Sequence, residues 1–148
     1  MPKKFKFKLG AVLRYRQIMR DMQEAKLMQA NSACRETEEY IGFLDDKRHK
    51  VYDGMLDNLE KGFSLIEQQS ADSYNKVVLS EKAKENARLA RRKKAQEFEK
   101  LRYIDYSKQH RAIDKLKDQA LELHQKELLS EEMKQIDDLV NTRYRADR

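Results

Sequence analysis

Catalysis needs nucleophiles, bases or metal ligands brought together, and this 148-residue chain offers few. Its three histidines, His49, His110 and His124, are dispersed, and His110 and His124 stand fourteen residues apart. That is about four helical turns, too far to hold one metal ion together. Polar-face histidines on a helix are the plain reading. Cys34 is the sole cysteine. It sits between Ala30 and Thr37 at helical spacing, a place for a small buried hydrophobe, with no histidine or helix start near enough to make it a nucleophile. A single cysteine forms no intrachain disulfide and fits a reducing compartment. Asp45-Asp46 and Asp137-Asp138 are adjacent in sequence, but neighbours on a helix point about 100° apart, so neither pair shares a proton. There is no Gly-rich phosphate loop, nucleophile elbow, paired-histidine zinc motif or CxxC pair. No catalytic residue, metal ligand or cofactor site is expected. The basic run Arg88 to Lys94 lacks the interleaved aromatics that stack bases, and it reads as a solvated helix face.

The elements that carry these residues are long helices. Charged residues make up 39% of the chain, with one proline and four glycines. Globular domains average about 25% charge and about 7% glycine. Lys, Glu, Leu, Ala and Gln are good helix formers, and a sheet or barrel would need turns that are missing here. After a loose segment from Pro2 to Lys8, helical spacing begins near Leu9. Leu27, Ala30, Cys34, Thr37, Ile41, Leu44, Arg48, Val51 and Met55 then keep strict three-four steps, a heptad seam. The first helix is expected over about residues 9–61, about 80 Å long. Gly62 in the Gly62-Phe63-Ser64 break suits a helix C-terminus, and Ser64-Leu65-Ile66-Glu67 reads as a capping box, with Ser70 to Ser73 as a second possible start. A turn is expected over about residues 62–70, and a second helix from about 70 to about 143. Its expected seam is Ala83, Ala87, Ala90, Lys94, Glu97, Leu101 and Ile104, shifting phase to Ile113, Leu116, Ala120 and Leu123, then to Leu129, Met133, Ile136 and Val140. Folding back sets Ile41 and Leu44 against Ala87 and Ala90, large against small.

Charge favours the same arrangement. Residues 1–20 hold seven basic side chains and no acidic one, and residues 122–138 hold six acidic ones against Lys126 and Lys134. Each stretch opposes its own helix dipole, and in an antiparallel pair the two would meet and compensate. The expected fold is therefore all-α, a single elongated antiparallel two-helix coiled-coil hairpin over residues 1–148. No apolar run approaches the ~18 residues of a membrane span, and no apolar stretch follows the basic start as in a signal peptide.

The opening Phe5-Lys6-Phe7-Lys8-Leu9, followed by Val12-Leu13-Arg14-Tyr15-Arg16, resembles the start of the flagellar FliJ family. So do the Gly62-Phe63-Ser64 break, Ile113-Asp114-Lys115-Leu116-Lys117, and Glu132-Met133-Lys134-Gln135-Ile136-Asp137-Asp138-Leu139. Gly10 and Ala11 look like a small insertion. The resemblance implies a non-enzymatic, stalk-like adaptor of the flagellar type III export apparatus. Its partners would be the hexameric export ATPase, whose ring it enters and helps assemble, the export gate membrane protein, and export chaperones. The location implied is the cytoplasm, peripheral at the inner membrane. The ring-entering surface maps to Leu9, Val12, Leu13 and Arg16 on the first helix and Met133, Ile136, Leu139 and Val140 on the second; equally, these residues pair with each other. The gate-contacting patch maps to Tyr74 and Val78, with Glu81 and Glu85 two turns on; the other reading packs Tyr74 and Val78 against Met55 or Leu59 near the turn. Nucleic acid is not an expected partner. The competing class is a structural coiled coil whose basic face binds nucleic acid or an anionic membrane.

Overall fold

A computed structural model describes residues 4–62 and 64–146. Among these residues the chain forms two α-helices and no strand: α1, Gly10–Lys61, and α2, Leu65–Ala146. The helices pack against each other as an all-α hairpin. α1 stops because Gly62 adopts a φ of +86°. An L side chain resists that left-handed geometry, and glycine adopts it without cost from a Cβ. α2 starts at once. Ser64 Oγ accepts the Glu67 N–H at 3.2 Å, and the Ser64 carbonyl accepts the Gln68 N–H at 3.1 Å. Both bonds satisfy donors that a helix start leaves free. The turn is therefore shorter than the expected 62–70. The Ser64 cap, rather than Ser70 to Ser73, starts the helix, which runs to Ala146 rather than about residue 143. Phe63 in the break, and Pro2 and Lys3 in the opening segment, lie outside the described residues.

Contacts divide the chain into two units, Gln23–Tyr103 and Met1–Met22 with Ile104–Arg148. In Gln23–Tyr103, α1 buries Cys34, Thr37 and Leu44 and half-buries Leu27, Ala30, Ile41, Val51 and Met55, as its spacing predicts. Arg48 is the exception, exposed and donating from Nε to Asn75 Oδ1 at 3.1 Å.

The face of α2 differs from the expectation. Ala83, Ala87, Ala90, Lys94, Glu97 and Leu101 are all exposed. The residues turned toward α1 are Asn75, Val78, Lys82, Glu85, Leu89, Arg92, Gln96 and Glu99, also at unbroken three-four steps. The axial level expected for Ile41 and Leu44 is near the observed one, but the face is wrong. Hydrogen bonding explains the rotation. The two most deeply buried side chains are polar, Gln23 at 2% and Thr37 at 1% exposure. Gln23 Nε2 donates to the Glu99 carbonyl at 3.1 Å and also to the Glu99 carboxylate. Gln96 Nε2 donates to Asn31 Oδ1 at 2.6 Å. Arg92 donates to the Ala33 carbonyl at 3.0 Å and to the Thr37 hydroxyl, which itself donates to that carbonyl at 2.9 Å. Burying the alanine stripe instead would gain little apolar area and leave these groups of α1 without partners, at about 1–3 kcal/mol each.

In the other unit the N-terminal segment also runs antiparallel to α2. Arg20 meets His110 Nδ1 at 3.3 Å, Arg16 donates to Gln109 Oε1, and the Phe5 ring lies 5.5 Å from the His124 ring. Leu13 and Ser107 are buried, and Ile113 and Ala120 are half-buried. Leu116 and Leu123, expected in the seam, are exposed, as is Ile104.

Candidate functional site: the uncovered end of α2

The basic N-terminal segment was expected to meet the acidic stretch 122–138. It meets residues 109–124 instead, since α2 has 82 residues against the 52 of α1. Beyond Leu128 every described residue is exposed. Leu129, Met133, Ile136 and Val140 lie there at steps of four, three and four, between 58% and 68% exposed, with Leu139 beside them at 67%. This corrects the reading in which the two sets of apolar residues cover each other. Met133, Ile136, Leu139 and Val140 keep a heptad stripe with no helix against it. On α1, Leu13 is buried and Arg16 is half-buried against Gln109, so both serve the hairpin. Leu9 and Val12 are exposed.

The stripe has the chemistry of a coiled-coil face in want of a partner. Fully burying one Leu, Ile or Met side chain gains about 1.5–3 kcal/mol, and this end of α2 leaves that gain unused at five successive positions. Glu132 and Asp137 flank the stripe, and Glu127, Glu131 and Asp138 lie on the far side of the helix. Two basic residues, Arg143 and Arg145, stand in the last turn, where they complement the helix dipole.

The second candidate patch is only partly available. Val78 is 5% exposed and Glu85 is buried, ion-paired to Arg88 at 3.3 Å. Glu81 is half-buried. Val78 therefore belongs to the packing between the helices, which corrects its expected exposure; its position in the three-four series Asn75, Val78, Lys82 turns it inward. Tyr74, one position off that series, stays on the surface.

What sequence reasoning missed is a set of aromatic and apolar side chains on the outside of α1. Tyr40 stacks on Phe43 at 6.2 Å, Lys47 lies 4.6 Å over the Phe43 ring, and Tyr52, Leu56 and Leu59 follow, all exposed. Tyr40, Phe43 and Lys47 keep three-four steps, as do Tyr52, Leu56 and Leu59, but the five residues from Lys47 to Tyr52 put the two groups on different sides of α1, and a search for one seam per helix passes over both.

Among the described residues no three His, Cys, Asp or Glu side chains are grouped to hold a metal ion. Cys34 is buried, its Sγ 3.6 Å from Gln96 Oε1. The Lys82 ammonium, donating to Asp45 Oδ1 at 2.7 Å, holds the Asp45 carboxyl below its ordinary range, with Lys82, His49 and Arg48 adding their positive fields. That is a strut between the helices rather than an acid or base. Among the described residues no helix is long and apolar enough to cross a membrane.

Compared with family models, residues 5–148 match the one described as Flagellar FliJ protein. No curated protein and no solved structure matches.

Proposed function

The chain belongs to the flagellar FliJ family, a non-catalytic component of flagellar protein export, and from that premise we propose that it is the stalk-like adaptor of the export ATPase. Residues 1–148 act as one hairpin. The uncovered end of α2 enters the ring of the hexameric ATPase and promotes its assembly through Met133, Ile136, Leu139 and Val140, while Leu9 and Val12, exposed further back along the hairpin, give a second contact. Leu13 and Arg16 hold the hairpin together behind that end. The carrying observation is the heptad stripe of exposed apolar residues beyond the reach of α1. A ring interior lined by helices or loops can bury such a stripe in the knobs-into-holes manner of a coiled coil.

The adaptor also links the ATPase to the export gate membrane protein and receives export chaperones. Tyr74 is the gate-facing residue of its group, an aromatic with a polar tip on the surface. Val78, Glu81 and Glu85 hold the helix that presents it. The protein works in the cytoplasm, at the inner membrane through the export apparatus. The test is retention of the cognate export ATPase on the immobilised protein. Ile136→Lys with Val140→Lys abolishes retention and leaves the helix signal unchanged. Full retention by that double variant rejects the ring contact.

A further inference from the structure

In the unit Gln23–Tyr103, the residues that α2 turns outward form a second heptad line. Leu79, Ala83, Ala87, Ala90 and Leu101 are exposed at three-four steps, with Lys94 and Glu97 completing the series. Helical geometry puts Lys84 and Arg91 along one side of this line and Lys93 and Lys100 along the other. Among the described residues none forms an ion pair with Lys84, Arg91 or Lys100, and Lys93 has a long one, 3.8 Å to Glu38. An apolar line between two basic flanks is the negative image of an acidic amphipathic helix.

The chain itself contains such a helix. The end of α2 has its own exposed line, Leu129, Met133, Ile136 and Val140, flanked by Glu132 on one side and Asp137 on the other. Residues 84–100 hold seven basic and three acidic side chains, a net of +4. Residues 122–138 hold two basic and six acidic, a net of −4. Both stretches have the same length, about 26 Å of helix.

We infer that the acidic end of α2 in one molecule docks on the basic outer face of α2 in a second copy of the chain. A nucleic acid would neutralise the basic flanks but leave both apolar lines in water, and an anionic membrane could bury the line of the basic face but would repel the acidic end and leave its line in water. A second copy covers both lines and balances both charges. The contact joins two different surfaces, so it closes as a reciprocal dimer when each end reaches the other molecule's face, and it continues as a chain of molecules when it does not. It also hides Met133, Ile136 and Val140. Self-association and ring entry then exclude each other; this consequence rests on the ring-entry proposal, while the pairing does not.

Sedimentation velocity over a concentration series, at low and high salt, tests the pairing. The expected result is an oligomer that grows with concentration and weakens as salt screens the flanks. The variant K84E/R91E/K100E lowers the association constant at least about tenfold, as does E132K/D137K, and an equimolar mixture of the two recovers association. All these positions are exposed, so circular dichroism should match the parent; if a reversal loses helix, the neutral set K84Q/R91Q/K100Q is read in its place. A chain monomeric at every concentration overturns the inference. So does an oligomer indifferent to both reversals, a mixture that recovers nothing, or a basic face that binds DNA or anionic vesicles without self-association. A pairing that holds in a protein that fails to retain the ATPase sinks the ring reading alone.

Discussion

Two stretches of α2 reverse the usual order of inside and outside. Between residues 75 and 99 the buried side is largely polar, and the alanines face water. Between residues 129 and 140 the apolar heptad positions face water. The first stretch spends its contacts on α1, where each buried polar group meets a partner. Such layers gain little stability but fix register, because a slipped pairing strands Gln23, Thr37 and Arg92 together. The second stretch has no α1 against it, so its apolar side chains remain for another molecule. A helix pair that is polar within and apolar at its free end separates holding the hairpin together from recognising partners.

The largest effect that could break this comparison is on binding. Ile136→Lys with Val140→Lys should weaken ATPase retention by about a hundredfold or more, the scale of two buried hot spots, with no fall in Tm. A fall in Tm would mean that the end of α2 packs within its own chain. Next comes the apolar part of the hairpin. Leu44→Ala should cost about 2 kcal/mol in denaturant unfolding, at the low end of core truncations because a two-helix seam can close around the gap. Ala87→Ser, at nearly the same level on the outer face, should stay within about 0.5 kcal/mol. Similar costs for the two would erase the distinction between the faces.

These contrasts also show what the sequence discloses. α1 was legible because its inward positions include Leu27, Ile41, Leu44, Val51 and Met55, so hydrophobic period alone located the seam. Gly62 and Ser64 were legible because each does one thing that few residues do. The inner face of α2 was not. Asn75, Lys82, Glu85, Arg92, Gln96 and Glu99 keep a flawless heptad spacing, but their side chains are those of a solvated surface. Asn75, Lys82, Arg92, Gln96 and Glu99 turn inward because Arg48, Asp45, Thr37, Asn31 and Gln23 on α1 meet them, and Glu85 pairs with Arg88 on its own helix. Such pairing is a property of two segments at a known register, and one segment read alone cannot reveal it. The apolar stripe at the end of α2 was read from spacing, whereas its lack of a covering helix depends on where α1 begins. The choice between the two readings of Val78 turned on the same unknown as the alanines, the rotation of α2, which differs from that of the alanine seam by about 150°.

Smaller effects sharpen the polar side of the comparison. Thr37→Val keeps the shape but removes the hydroxyl that Arg92 reaches, and should cost about 1 kcal/mol of stability. A stabilised variant would mean that Arg92 is satisfied by solvent. Smallest is the pH response of the Asp45–Lys82 strut. The folded-state carboxyl titrates below its ordinary value, so its contribution is present above about pH 4 and fades as the pH falls through the depressed value. Urea unfolding of Asp45→Asn and the parent should therefore converge in midpoint below about pH 4; a gap that widens there would reverse the sign.

The central claim, that α2 turns its polar heptad inward and its alanines outward, is tested most directly by labelling single cysteines with a maleimide in a Cys34→Ser background. Val78→Cys and Glu85→Cys should react slowly in the folded protein, at rates limited by opening of the hairpin. Ala83→Cys and Ala87→Cys, within a few residues along the same helix, should react at nearly the rate of an unfolded chain. Fast labelling at residues 78 and 85 with protection at 83 and 87 would place the alanines in the seam and contradict the account.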